Sequence, residues 1–167
     1  MKAMAIAFAI GAVLLLPAGF SGAQAAEIDG QCKQNSVTEF ISSDVNDKTS
    51  STDWVDVSDA KVNFKTEKTG CIIITFSAPA YAYDEEGSDY NTLHVRTLLD
   101  GSVTCVPDNY IDTFAQAQAP VPASANSITR VCYNVGRGRH EVQVQYRNDN
   151  ANYFVNINSH VLTVAHR

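Results

Sequence analysis

Apolar and polar residues alternate with a period of two along most of the chain. No stretch after the first 25 residues sustains a 3.6-residue apolar repeat over three turns. In AKVNFKT (60–66), Val62 and Phe64 face one way and Lys61, Asn63 and Lys65 the other, which predicts a half-buried strand. The run CIIITFSA (71–78) is apolar and β-branched at both parities. It predicts a central strand covered on both faces, ended with the help of Pro79. TLHVRTLL (92–99) sets Leu93 and Val95 against His94 and Arg96, which places the two polar residues on a solvent face. Asp100–Gly101 then predicts a hairpin turn, because both residues tolerate positive φ, with SVTCV (102–106) as the return strand. SITRVCYNV (127–135) and HEVQVQYR (140–147) flank a turn at GRGR, and the second buries Val142, Val144 and Tyr146. NDNAN (148–152) turns again. YFVNIN and VLTVAH follow with their apolar parity reversed, which requires a bulge near Ser159–His160. TDWVDV (52–57) adds an earlier strand and EKTG (67–70) a turn. About eight strands with a buried central one predict an all-β antiparallel sandwich, a jelly roll, with an immunoglobulin-like sandwich as the alternative.

The first residues obey different rules. Lys2 precedes an uncharged apolar run over 3–16, Pro17 and Gly19 break it, and Ala23-Gln24-Ala25 offers small residues at a peptidase site. At 14 residues the run falls short of the roughly 20 that a membrane span needs. Residues 1–25 therefore read as a cleaved signal peptide and 26–167 as a single β-sandwich domain, periplasmic or secreted, with no membrane span after cleavage. An exported chain with four cysteines, Cys32, Cys71, Cys105 and Cys132, implies two disulfides. Of the three connectivities, Cys32–Cys71 with Cys105–Cys132 is favoured, because the second pair closes a long excursion whose middle, AQAQAPVPASANS, reads as loop. The nearest cysteine spacing is 27, so no C-x-x-C pair suggests zinc or a catalytic thiol.

Charge narrows the partners. The chain carries a formal charge of -6, and sixteen of its 18 acids lie at or before Asp112. An acidic domain without a basic stripe is a poor ligand for nucleic acid or for an anionic membrane. Both methionines fall in the leader, which argues against thioether-ligated copper.

The densest chemistry is YAYDEEGSDYN (81–91). Tyr81, Tyr83 and Tyr90 can lie against pyranose faces while Asp84, Glu86 and Asp89 accept hydroxyl hydrogen bonds, so these six are candidate glycan ligands. With Glu85, the carboxylates of Asp84, Glu86 and Asp89 are a candidate calcium cluster, although a calcium ion wants roughly six to eight oxygens and the EF-hand spacing is absent. Paired carboxylates also hydrolyse glycosides, but that needs a fixed separation of about 5 to 9 Å across a cleft, which adjacent loop residues do not guarantee. His94, His140, His160 and His166 show no chelating spacing, and no G-x-S-x-G elbow or glycine-rich phosphate loop is present. Arg137, Arg139 and His140 form a small cationic tip suited to an acidic partner.

The segments LLDG (98–101), GRGRHEVQVQYR (136–147) and VLTV (161–164) resemble the C-terminal half of small exported bacterial β-sandwich proteins of unassigned function. The resemblance covers about half the mature chain and implies a fold and an exported life; it transfers no site residues. The expectation is a non-enzymatic binding module for an extracellular or periplasmic glycan. Next come a protein-interaction or self-assembling module, such as a TNF-like jelly-roll trimer, then calcium binding, and last a glycoside-active enzyme.

Overall fold

The computed structural model describes residues 37–83, 91–102, 105–107, 113–117 and 124–166. Among them are ten strands and no helix: β1 (Val37–Ser43), β2 (Asp47–Thr49), β3 (Val55–Thr66), β4 (Gly70–Tyr83), β5 (Asn91–Leu99), β6 (Thr113–Ala117), β7 (Ser124–Val135), β8 (Gly138–Asn148), β9 (Phe154–Ile157) and β10 (His160–His166). They form two sheets. The first runs β1-β10-β4-β9-β2, with β7 on the other edge of β4, and the second runs β3-β8-β5-β6. β10 pairs with Ile73–Ser77 and β9 with Ala80–Tyr83, so β9 and β10 are two halves of one path along β4. β1 and β2 are likewise two halves of the path beside them. Merging the halves gives the orders 1-10-4-7 and 3-8-5-6, both antiparallel, which is the jelly-roll arrangement of a β-sandwich.

The parity reversal between Ile157 and His160 is real. Val155 and Ile157 are buried on one side of the break, and Leu162 and Val164 on the other. The break explains why Pro79 does not end β4. The Pro79 carbonyl accepts the Asn158 amide at 2.9 Å, and proline, with no N–H to donate, is tolerated beside such an irregularity. β4 is central, as its composition indicates, but among the described residues only one of its faces is covered. Ile72, Ile74 and Phe76 are fully buried, whereas Ile73, Thr75 and Ser77 are half-exposed.

Four further expectations need correction. TDWVDV and AKVNFKT are one strand, β3, interrupted by a bulge between Asp56 and Lys61 where Asp59 takes φ 57°. Asp47 of the other sheet ties this bulge down, accepting from the Ser58 amide and hydroxyl at 2.7 Å each. Asp100 and Gly101 do form a left-handed turn, with φ 50° and 78°, but SVTCV is not the return strand of β5. Its partner is β6, because the Cys105–Cys132 disulfide and two 2.8 Å backbone bonds between Val106 and Val131 hold 105–107 against β7. The stretch read as loop therefore contributes strand at both ends, in β6 and in the first residues of β7. Finally β1 and β2 were not foreseen, because VTEFISS has no clean alternation and DKT is too short for a period to register. Cys71 is disulfide-bonded too; Cys32, its expected partner, lies outside the described residues.

Three histidines titrate in opposite senses. His160 and His166 are buried between the sheets at 1% and 3% exposure, His160 against Phe76 and His166 against Phe64. Burial holds both below the ordinary histidine value, against the pull of Asp47 and Asp59 on His160 and of Glu39 on His166. His140 clasps two turns: Nδ1 lies 2.8 Å from Asp100 Oδ2 and Nε2 lies 2.8 Å from the Gly136 carbonyl. Burial works against its charge, but the two hydrogen bonds and the Asp100 carboxylate outweigh burial and raise its pKa. Asp100 moves the complementary way: burial raises it, and the His140 bond and the Glu141 amide more than compensate, leaving it lowered. The unfolded chain out-competes the folded one for protons at His160 and His166 once pH falls through about 6.5, so their stabilisation is present above that pH and lost below it. His140 does the reverse: its contribution is full below about 6.5 and lost as pH rises through its raised folded value. We expect the melting midpoint to fall between pH 7 and pH 5, and to fall more steeply in His140→Gln, which lacks the acid-side support. A midpoint that rises on acidification would overturn this assignment.

Candidate functional site

Register places β4, β6 and β8 so that they end, and β5, β7 and β9 so that they begin, at one end of the sandwich. There the connections 50–54 and 149–153 cross from sheet to sheet side by side. The second is built by asparagines. Asn148 Nδ2 donates to the Asn150 and Tyr153 carbonyls at 2.7 and 2.9 Å, and Asn150 Oδ1 accepts the Asn152 amide at 3.0 Å. These bonds satisfy the turn's backbone internally, as asparagine does in tight loops. Neighbouring strands pin it from outside: the Asn148 amide donates to the Ser51 carbonyl at 2.8 Å, and Asn91 Nδ2 donates to the Phe154 carbonyl at 3.3 Å. Asn91 and Asn148 are completely buried, which keeps the loop in one shape.

Between the two crossings lies a cleft of about 500 Å³, lined by Lys48, Thr49 and Ser50 on one wall and Ala151, Asn152, Tyr153 and Phe154 on the other. That volume falls within the usual range for small ligands, roughly 300–1,000 Å³. Tyr153 and Phe154 are half-exposed, and Lys48 Nζ sits 3.3 Å from the Phe154 ring centroid, a cation–π contact. Among the described residues, no lining residue carries a carboxylate.

Trp54 ends the 50–54 connection on the second-sheet side, half-buried, with Arg96 Cζ 4.3 Å and Arg147 Cζ 5.1 Å from its ring centroid. Around it runs a polar lattice. Arg96 Nε and Nη2 donate to Gln145 Oε1 at 2.9 and 2.6 Å, and Gln145 Nε2 donates to Asp56 Oδ1 at 2.8 Å. His94 Nε2 lies 2.7 Å from Asp149 Oδ1. His94 does point to the outer side of β5, but it is 2% exposed, not solvated, because the 149–153 crossing covers it.

A second cleft, of about 430 Å³, opens at the opposite end and is lined by Glu39, Asn63, Phe64, Lys65, Arg139 and His140. It contains two of the three residues of the cationic tip, Arg139 and His140. Both His140 ring nitrogens are occupied, however, and Lys65 Nζ is paired with Glu67 at 2.9 Å. Its polar groups serve the hairpins more than a ligand.

The outer face of the first sheet differs from both clefts. Three rows of register partners cross it: Phe40–Thr163–Thr75–Thr129, Ser42–Val161–Ser77–Ser127 and Thr38–Ala165–Ile73–Val131. None of these residues is charged. Thr75 and Thr129 hydroxyls are 3.2 Å apart and Ser77 and Ser127 hydroxyls 2.8 Å, so they bond to each other.

Of the residues expected at a ligand site, Tyr81 lies half-exposed on this same face beside Asn156, its register partner. Tyr83 is the backbone partner of Phe154, which brings it to the end that holds the first cleft. Asp84, Glu85, Glu86, Asp89 and Tyr90, and with them most of the candidate glycan and calcium residues, lie outside the described residues. Among the described residues no three His, Cys, Asp or Glu side chains converge as a metal site would require. Sequence reasoning missed Lys48, Asn152, Tyr153, Phe154 and Trp54. The one available signal was NDNANYF (148–154), an asparagine-built turn running straight into two aromatics.

No family model matches the chain, and no curated protein matches it. One solved structure it is similar to is the crystal structure of the CBM36-1 domain of a multidomain xylanase from the hindgut metagenome of Trinervitermes trinervoides. The match has 14% identity and a TM-score of 0.36, and covers 75% of this chain and 96% of that one. So distant a likeness says nothing about what this chain binds.

Proposed function

We propose that the chain is an exported, non-catalytic β-sandwich module that binds a glycan in the cleft between the 50–54 and 149–153 crossings. The observation that carries this reading is the cleft itself. Tyr153 supplies an apolar face for the C–H side of a sugar ring, Phe154 with the Lys48 ammonium stacked on it forms the wall beside it, and Thr49, Ser50, Asn152 and Lys48 supply hydrogen-bonding groups for its hydroxyls. The asparagine-pinned backbone holds those groups in place before a ligand arrives, which lowers the cost of binding. Among the described residues, the lining holds neither of the two carboxylates that glycoside hydrolysis uses. Among the described residues, the two carboxylates with displaced pKa values, Glu67 and Asp100, are both displaced downward, whereas a glycosidic acid must be raised.

Trp54 is the chain's only tryptophan and lies on one of the two crossings, so its fluorescence serves as a reporter. We expect a saturable change in its emission, matched by calorimetry, on titration with neutral or uronate-containing oligosaccharides. Tyr153→Ala and Lys48→Met should each raise Kd at least about tenfold, a loss of about 1.4 kcal/mol, while leaving the melting midpoint unchanged. The absence of any saturable response up to about 10 mM across both classes would reject the reading; that concentration is already weaker than the millimolar affinity worth about 4 kcal/mol.

A further inference from the structure

We propose that β1 is an association edge, on which a second copy of this chain adds its own β1 in antiparallel register. β1 is the outermost strand of the first sheet, and among the described residues it pairs with β10 alone. Its free side therefore presents a row of backbone donors and acceptors, and such edges are ordinarily blunted by lysine, proline, a bulge or shortness. VTEFISS has none of these: it is seven residues long, contains no lysine, arginine, proline or glycine, and pairs with β10 without a shift in register.

Three large apolar side chains are exposed at or beside this edge. Of the four large hydrophobic residues left exposed among the described residues, Phe40 (72%), Val37 (41%) and Val161 (42%) all belong to this corner. Phe40 is the extreme case, an aromatic ring standing on the uncharged outer face with one flank open. A solvated aromatic of that size gains on being covered, and aromatic cross-strand pairs reinforce sheet pairing.

The sequence of β1 is complementary to itself. Two-fold antiparallel pairing centred on Phe40 sets Phe40 against its copy, Glu39 against Ile41, Thr38 against Ser42 and Val37 against Ser43. Glu39 is the only ionisable residue of the strand, and this register keeps it from facing its own copy. Closed two-fold symmetry requires a surface that meets itself in this way. The uncharged rows of the first sheet then continue from one copy into the next without like charges meeting. The covered surface, two exposed phenylalanines and two strand edges, is small beside the roughly 1,200–2,000 Å² of a standard specific pair, so a weak, concentration-dependent association is expected.

Sedimentation velocity on the full mature chain from about 1 to about 200 µM tests this, a window that brackets micromolar association. The expected result is a rise in mass from one chain to two. Phe40→Lys and Thr38→Lys, both exposed and outward-facing, should remain single chains with unchanged melting midpoints. Thr129→Lys, on the same face but at the far edge, should still dimerise. A single-chain mass throughout would overturn the proposal, as would Phe40→Lys dimerising like the parent. Dimerisation lost in Thr129→Lys and kept in Phe40→Lys would overturn it in favour of face-to-face stacking.

Discussion

Replacing Phe76 with alanine should lower the free energy of unfolding by about 3–5 kcal/mol. Phe76 lies at the centre of β4 and is fully buried. Its ring meets Phe114 of the second sheet and His160 of its neighbouring strand, with centroids 5.6 Å away in each case. Truncation removes the transfer free energy of the ring and leaves a void between two hydrogen-bonded sheets that cannot close over it, because each sheet's spacing is set by its own ladder. A domain of this size is stable by only about 5–15 kcal/mol, so the loss is a fifth or more of the total. The melting midpoint should drop by roughly 10–20 °C. Phe76→Leu, which keeps most of the volume, should lose far less. Equal losses in both variants would show that ring shape, not volume, governs the site.

The second large effect concerns the Cys105–Cys132 bridge. Its loop spans a sequence separation of 27, and the chain-entropy model gives roughly 3–4 kcal/mol for closing a loop of that length. Both cysteines are buried, at 3% and 1% exposure, so alanine at each position also removes some packing. Reductant opens every bridge at once, including the one at Cys71. The double variant Cys105→Ala/Cys132→Ala isolates this one, and denaturant unfolding should report the loss. Hydrogen exchange should localise it, since the Val106 and Val131 amides, each bonded at 2.8 Å to the other's carbonyl, lose protection first. A cost below about 1 kcal/mol would mean that the denatured chain already holds these segments together.

Much of the sandwich was legible in the pattern because a strand's two faces are written in alternate residues. Val62 and Phe64, Leu93 and Val95, and Val142 and Val144 each point inward as their spacing indicates, and the phase break after Ile157 announced the bulge. The misreadings share a cause: each depended on a neighbour remote in sequence. Ile73 is apolar but only half-covered, because among the described residues no further layer packs on the outer side of β4. His94 alternates as a surface residue yet is buried under a crossing more than fifty residues later. SVTCV follows an evident turn, but the disulfide takes its latter part to β7. The site was less legible still. Lys48, Ser50, Asn152 and Phe154 come from a three-residue strand, two connections and a strand end that carry no period, and only the side-by-side crossing of the two connections brings them to one cleft.

By itself, the sequence determined that this is an antiparallel β protein, which residues its strands turn inward, and where two turns and one bulge fall. Those properties follow from local sterics and from the burial of every second side chain, which act over a few residues. The tertiary structure alone decided the jelly-roll order of the sheets, the edge position of β1 with its exposed Phe40, and the cleft between the two crossings. Those depend on which distant strands pair, and pairing is settled by backbone hydrogen bonds whose carbonyls every residue carries and whose N–H groups only proline lacks, so the side-chain code leaves it open.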